Sequence, residues 1–87
     1  MAYKAFDLTG KVAVITGANS GLGLETTRGL ARTGATIVMA CRTEAKAHAA
    51  RDAVLADVPK AVLEFMPLDL ASLASIRSFA EAFASKY

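Results

Sequence analysis

Thr16-Gly17-Ala18-Asn19-Ser20-Gly21-Leu22-Gly23 is a glycine-rich turn set between two different hydrophobic patterns. Before it runs Val12-Ala13-Val14-Ile15, a short apolar stretch of strand type. After it, Leu22 to Arg32 carries apolar residues at helical spacing. A glycine-rich turn from strand to helix can bring backbone close to a phosphate. Gly17 lets the chain turn sharply off the strand, Gly21 allows close approach to a pyrophosphate, and Gly23 lets the helix lie tight against the strand. The first amides of the helix have no intrahelical acceptor and sit at the positive end of its dipole, so a diphosphate satisfies both deficits. The Ser20 hydroxyl and the Asn19 side-chain amide add donors at the rim. The cradle read from these residues is Gly17, Asn19, Ser20, Gly21, Leu22 and Gly23. A turn of this kind also forms for packing reasons alone, so the surrounding sequence has to decide. No Gly-Lys-Ser/Thr follows any glycine, which excludes a Walker loop.

Outward from the turn, strand and helix patterns alternate. Leu22, Thr26, Leu30 and Thr33 predict a helix face turned to a sheet, ending at Gly34. Thr36-Ile37-Val38-Met39-Ala40 is a continuous β-branched run, as for a strand covered on both faces. A second helix is expected from about Thr43, with Ala47, Ala50, Val54 and Val58 on one face and Pro59 as its stop. Ala61 to Met66 reads as a third strand closed by Pro67, and Glu64 within it argues for an edge position. A last helix carries Leu73, Ile76, Phe79, Phe83 and Tyr87, with Ser72 or Asp69 as its cap. Phe6 and Leu8, before the first strand, are expected to cover the bottom of the sheet. The fold class is α/β: the first half of a Rossmann fold, a three-stranded parallel sheet in the order 3-2-1 with β-α-β-α-β-α connectivity. Residues 1–87 form one dinucleotide-binding half-domain, and the last pattern reaches Tyr87 without a stop signal, as in a chain cut off in or just after a helix.

Composition narrows the function classes. Hydrophobic residues make up 54%, too many for a disordered segment, and the net charge of +2 is spread rather than massed, so no nucleic acid partner is expected. Cys41 is the single cysteine, which rules out an internal disulfide and a cysteine-built zinc set and favours a reducing compartment. No apolar run has membrane-spanning length and the first residues lack a signal-peptide core, so the expectation is a cytoplasmic protein without a membrane segment. His48 has no nearby Cys, Asp or second His on its helix face and reads as structural; Glu25, Arg28 and Arg32 read as a solvated helix face.

In this fold the pocket lies outside the carboxyl ends of the strands. Cys41-Arg42 stands about twenty residues beyond the glycine loop, where an NAD-binding protein carries an acid for the adenosine ribose. Here a neutral Cys41 removes the repulsion a carboxylate would exert on a 2′-phosphate, and Arg42 offers a charged planar fork suited to one. The same arginine also reads as a surface residue capping the next turn. Leu68-Asp69-Leu70 follows the third strand: the Asp69 carboxylate either accepts from the exocyclic amine of adenine, with Leu70 and Leu68 flanking the ring, or caps the following helix.

The Thr-Gly-x-x-x-Gly-x-Gly spacing of Thr16 to Gly23 resembles that of the short-chain dehydrogenase/reductase family. The likeness sharpens at Gly17 to Glu25, Met39 to Arg42 and Leu68 to Leu73, which together are similar to the NADP-using branch that includes retinol dehydrogenases, the WW-domain oxidoreductase and light-dependent protochlorophyllide reductases. The resemblance implies NADP as cofactor, an adenine contact at Asp69, and hydride transfer between nicotinamide and a carbonyl or alcohol. It does not extend to the family's chemistry. The Asn-Asn-Ala-Gly loop, the active-site serine and the Tyr-x-x-x-Lys pair have no counterpart here, since neither Tyr3 nor Tyr87 has a lysine four places on. The small-molecule substrate would then be met only through a further half, and no catalytic or metal-ligating residue is assigned within this chain. The competing reading is a stand-alone, non-catalytic nucleotide-binding or assembly module built on the same half-fold. In either case an unpaired strand at Val12 to Ile15 leads to the expectation of self-association or of pairing with the rest of the fold.

Overall fold

Three runs of β-branched and apolar residues become the strands of the computed structural model, which describes residues 7–87. They are β1 (Val12–Thr16), β2 (Thr36–Cys41) and β3 (Val62–Pro67). Each is followed by a helix: α1 (Gly21–Ala31), α2 (Glu44–Asp57) and α3 (Leu73–Lys86). The strands are parallel in the order β1-β2-β3, with Val14 beside Val38 and Val38 beside Glu64. The strands end one residue later than their apolar runs suggest, because backbone pairing with a neighbour continues past the last large side chain.

Burial concentrates on β2, where every residue from Ile37 to Cys41 is buried. On one face of the sheet, Ile15, Ile37, Met39 and Cys41 pack with Ala18, Ala35, Ala47 and Ala50. The small side chains Ala47 and Ala50, with Val54 beyond them, seat α2 closely on that face. Leu8 packs against the same cluster and its amide donates to the Thr33 carbonyl at 2.7 Å, while Phe6 lies outside the described residues.

The inward face of α1 differs from the expected one. Thr27 and Ala31 are buried and Leu24 and Leu30 pack on the core, whereas Leu22 is 84% exposed and Thr26 is also exposed. Thr27 can face inward because its hydroxyl donates to the Gly23 carbonyl at 2.8 Å, leaving only its methyl to pack. The helical period pointed to Leu22 and Thr26 with Leu30; Leu30 does pack on the core, while Leu22 and Thr26 line an open groove along β1. Glu25 falls beyond the first turn and pairs with Arg28 at 2.7 Å, and Arg28 Nε also lies 2.8 Å from Asp57 of α2, an ion pair that links the two helices.

The opposite face of the sheet carries Val14, Val38 and Glu64 by strand alternation. Here α3 closes back: Lys86 and the Tyr87 hydroxyl both donate to the Glu64 carboxylate, the latter at 2.7 Å. Glu64 thus stands on the edge strand β3, where Lys86 and Tyr87 can partner its charge. Along α3, Phe79 stacks on Phe83 with centroids 6.1 Å apart, yet no residue of the helix is fully buried. His48 on α2 meets Phe65 edge-on at 6.1 Å, a packing contact.

Among the glycines the tightest surroundings are at Gly23. A Cβ there would stand 2.1 Å from the Gly17 carbonyl oxygen, so the constraint is helix against loop rather than helix against strand. Gly29 on the same helix has open space around its Cβ position. Gly23→Ala should therefore cost ~1–3 kcal/mol through forced displacement of the loop, whereas Gly29→Ala should add ~0.5–1 kcal/mol of helix propensity. Urea midpoints of the two variants are expected to move in opposite directions; a Gly23→Ala chain as stable as the parent would contradict the close approach.

Hydrogen bonds from Lys86 and then Tyr87 hold the Glu64 carboxyl below its ordinary value, and the Tyr87 hydroxyl, which donates to Glu64, is pushed above its own. The lowered carboxyl contributes stability that is complete above the usual carboxylate pKa of 4.5 and is lost as pH falls through the lowered value. The raised phenol contributes below its usual 10.0, and that contribution is lost as pH rises through the raised value. Docking of the α3 end, followed by the Tyr87 ring signals in NMR, should thus hold between those limits and weaken outside them. Glu64→Gln should abolish the acid limb, with an effect on stability of ~0.2–1 kcal/mol.

Candidate functional site

The carboxyl ends of all three strands open on one cleft of ≈ 290 Å³, lined by Thr16, Gly17, Asn19, Cys41, Arg42, Leu68, Asp69 and Leu70 among others. Its two walls hang from β2. The Gly17 amide donates to the Ala40 carbonyl at 3.0 Å and the Leu68 amide to the Cys41 carbonyl at 2.9 Å, so backbone pairing runs past β1 and β3 into their loops.

On the glycine-loop side, Gly17 and Gly21 take the left-handed backbone conformation, with φ of 62° and 56°. Apart from its chain neighbours and the backbone of its own helix, no atom of the described residues lies within 4 Å of the position a Gly21 Cβ would take. The Ser20 side chain makes no capping hydrogen bond. The Leu24 amide reaches the Ser20 carbonyl at 3.3 Å, while those of Gly21, Leu22 and Gly23 have no acceptor among the described residues. A helix start that is uncapped, electropositive and open in front is the physical condition for holding an anion.

At the end of β2, Cys41 is 3% exposed. Burial pushes its thiol pKa up, against the opposing effect of the Ala18 and Asn19 backbone amides. A thiol kept protonated is a poor nucleophile, so Cys41 acts as a small buried wall. Arg42 beside it is exposed and makes no ion pair or hydrogen bond among the described residues. Its guanidinium is left for solvent or a ligand.

At the end of β3 the alternatives for Asp69 separate. The cap of α3 is Ser72, whose side-chain oxygen accepts from the Ser75 amide. Asp69 Oδ1 accepts from the Ala71 amide at 3.0 Å in a local turn, and Oδ2 has no partner among the described residues. Leu70 next to it is 65% exposed.

The fold thus brings Gly17, Asn19, Arg42, Asp69 and Leu70 to one cleft. Leu22 and Gly23 instead line a larger groove of ≈ 540 Å³ with Val14, Thr26 and Leu30, along the free side of β1; Ser20 and Gly21 line neither. That groove lacks convergent polar groups, which the smaller cleft has. Leu68, which the sequence set beside Asp69 as a flanking residue, lines the cleft as well. Ala40 and Ala71 are wall residues that the sequence did not single out, because nothing in a lone small apolar side chain distinguishes a wall from a core position. No group of metal-ligating side chains occurs among the described residues, and no helix among them is long and apolar enough to cross a membrane.

Comparison with known proteins agrees with this architecture. The short chain dehydrogenase family profile matches residues 11–87. The WW domain-containing oxidoreductase of Homo sapiens is 51% identical over 80 residues, covering 92% of this chain and 19% of that protein. Retinol dehydrogenase 12 of Bos taurus is 49% identical over 76 residues, covering 87% of the chain and 24% of that protein. The chain therefore spans about a fifth to a quarter of the length of these curated relatives. Among solved structures, the NADPH-bound short-chain oxidoreductase of Pseudomonas aeruginosa PAO1 superposes with a TM-score of 0.78 at 36% identity, over 88% of this chain and 30% of that one. The L-sorbose reductase of Gluconobacter frateurii, solved with NADPH and L-sorbose, gives 0.81 at 30% identity over 95% and 31%. With its fold, its glycine loop and most of its length matched in this way, the chain belongs to the short-chain dehydrogenase family.

Proposed function

We propose that the chain forms the part of an NADP(H)-dependent short-chain oxidoreductase that holds the adenosine and diphosphate end of the cofactor. The observation that carries this reading is the convergence of the three strand ends on one cleft that holds an arginine without a partner among the described residues and a carboxylate with one open oxygen; the uncapped start of α1 follows the same glycine loop but does not itself line the cleft. The NADP(H)-bound state of related solved structures supports the choice of cofactor.

Each group has a stated task. The amides of Gly21, Leu22 and Gly23 receive the diphosphate, and Gly21 lets it come close because a side chain there would occupy open space in front of the helix. Asn19 and Ser20 add donors at the rim. Arg42 receives the 2′-phosphate, which Cys41 does not repel. Asp69 accepts from the exocyclic amine of adenine through its open oxygen, and Leu70 covers the ring. When bound, NADP(H) supplies or accepts a hydride at its nicotinamide end, on a carbonyl or alcohol substrate. Positioning falls to these residues. Proton transfer does not, because no tyrosine of the chain has a lysine four places on.

The exposed side of β1, with Val12 39% and Val14 41% exposed, is the surface on which the remainder of a Rossmann sheet, or a second copy of the chain, pairs. The same cleft would serve a free-standing nucleotide module, and the coding sequence after Tyr87 separates the two readings: Asn-Asn-Ala-Gly followed by Tyr-x-x-x-Lys belongs to the enzyme, a stop codon to the module.

Arg42→Ala should erase the preference for NADP(H) over NAD(H) while leaving NAD(H) binding nearly unchanged. A charge-assisted hydrogen bond contributes ~1.5–3 kcal/mol, which is roughly tenfold or more in affinity. Calorimetric titration with both cofactors measures this, and equal losses for the two would return Arg42 to a structural role. Expressed alone, the 9.1 kDa chain should self-associate in light scattering and show no turnover of carbonyls with NADPH. A cooperatively folding monomer would count against the exposed strand as a pairing surface.

A further inference from the structure

The corner between β3 and α3 is closed by a set of interlocking hydrogen bonds. The Ser72 amide donates to the Asp69 carbonyl at 3.0 Å, and the Ser75 amide donates to Ser72 Oγ at 3.2 Å. These two contacts start the helix. A third runs the other way: the Asp69 amide donates to Ser75 Oγ at 2.8 Å, so a side chain from the first turn of a 14-residue helix reaches back to the cleft loop. On the other side the preceding amide, that of Leu68, is held by the Cys41 carbonyl at 2.9 Å. The peptide groups that carry Asp69 are thereby fixed from β2 and from α3 together. With Oδ1 taken by the Ala71 amide, one carboxylate oxygen is left at a set place on the cleft wall.

We infer that Ser75 is a positioning residue of the nucleotide cleft: its hydroxyl oxygen locks the Asp69 amide and so presets Asp69 and Leu70 for an adenine base. This rests on the nucleotide reading of the cleft. Ser75 does not line the cleft and acts through Asp69. Without the hydroxyl, a part-buried N–H loses its acceptor and the loop must reorient to find water, so ordering that the free protein has already accomplished falls to the binding step.

The full 87-residue chain is titrated with adenosine 2′,5′-bisphosphate, which carries the adenine and the 2′-phosphate, and the exchange of the Asp69 amide is followed by NMR. Ser75→Ala should weaken binding roughly tenfold, the size of one lost hydrogen bond, and speed exchange at Asp69. Ser75→Thr, which keeps the acceptor, should restore both. Ser72→Ala removes the helix cap without touching the Asp69 amide and should leave affinity near that of the parent. Should Ser75→Ala fail to fold, Ser75→Cys, close in size but a weak acceptor, is expected to show the same loss. Parent binding with an undiminished Ser75→Ala, or an equal loss in Ser72→Ala, overturns the role of Ser75 and leaves the cleft assignment standing. No binding by the parent chain overturns both.

Discussion

The last two carbonyls of β2 hold the functional end of this molecule together. Ala40 accepts from Gly17 and Cys41 accepts from Leu68, so the loops after β1 and β3 continue the ladder of a strand that is itself buried on both faces. A backbone pair of this kind is modest in net energy. Its geometric effect is larger, because the buried strand cannot shift without opening the core. Loops anchored to it inherit that rigidity and present their free groups at fixed separations. The cleft is therefore a consequence of where burial is greatest.

The glycine loop works against a second constraint. Gly23 lies so close to the Gly17 carbonyl that no side chain fits between them, and this contact limits how α1 can leave the loop. Thr27 and Ala31 face the core while Leu22 turns outward to the free side of β1. Close packing of the loop and exposure of the first amides are two results of the same approach. The stability of the turn and its capacity to hold an anion cannot be altered independently at Gly23, whereas at Gly21, which faces open space, space and backbone conformation are separate matters.

Electrostatics divide between the two ends of the molecule. Around the cleft, Arg42 and one oxygen of Asp69 are left without partners among the described residues. Between α1 and α2, Glu25, Arg28 and Asp57 form a chain of ion pairs, whereas the buried Nε of Arg51 on α2 has no hydrogen-bond partner among the described residues. On β3 and α3, Glu64 is paired with Lys86 and Tyr87. Openness within the cleft is what a binding site requires, since an internal ion pair would compete with a ligand's charge for the same partner.

The sequence by itself determined the alternation of strands and helices, the parallel order with β2 at the centre, and the loop from Thr16 to Gly23. Those features rest on local signals: β-branched runs, helical spacing and glycine punctuation, each readable within a few residues. It also placed Arg42 and Asp69 at strand ends, where topology alone sends them to one side of the sheet. Tertiary structure decided the rest. The rotation of α1 was not legible, because Leu22 and Thr26 carry the helical period as well as Thr27 and Ala31 do, and the choice between the faces depends on how the helix packs on the sheet and the loop. Whether Ser72 or Asp69 caps α3 was open for a similar reason: both are good caps, and the choice fell to Ser72 once the Asp69 amide was held by Ser75 and its carboxylate by Ala71. Such contacts join residues whose separation is fixed by packing, so no local pattern announces them.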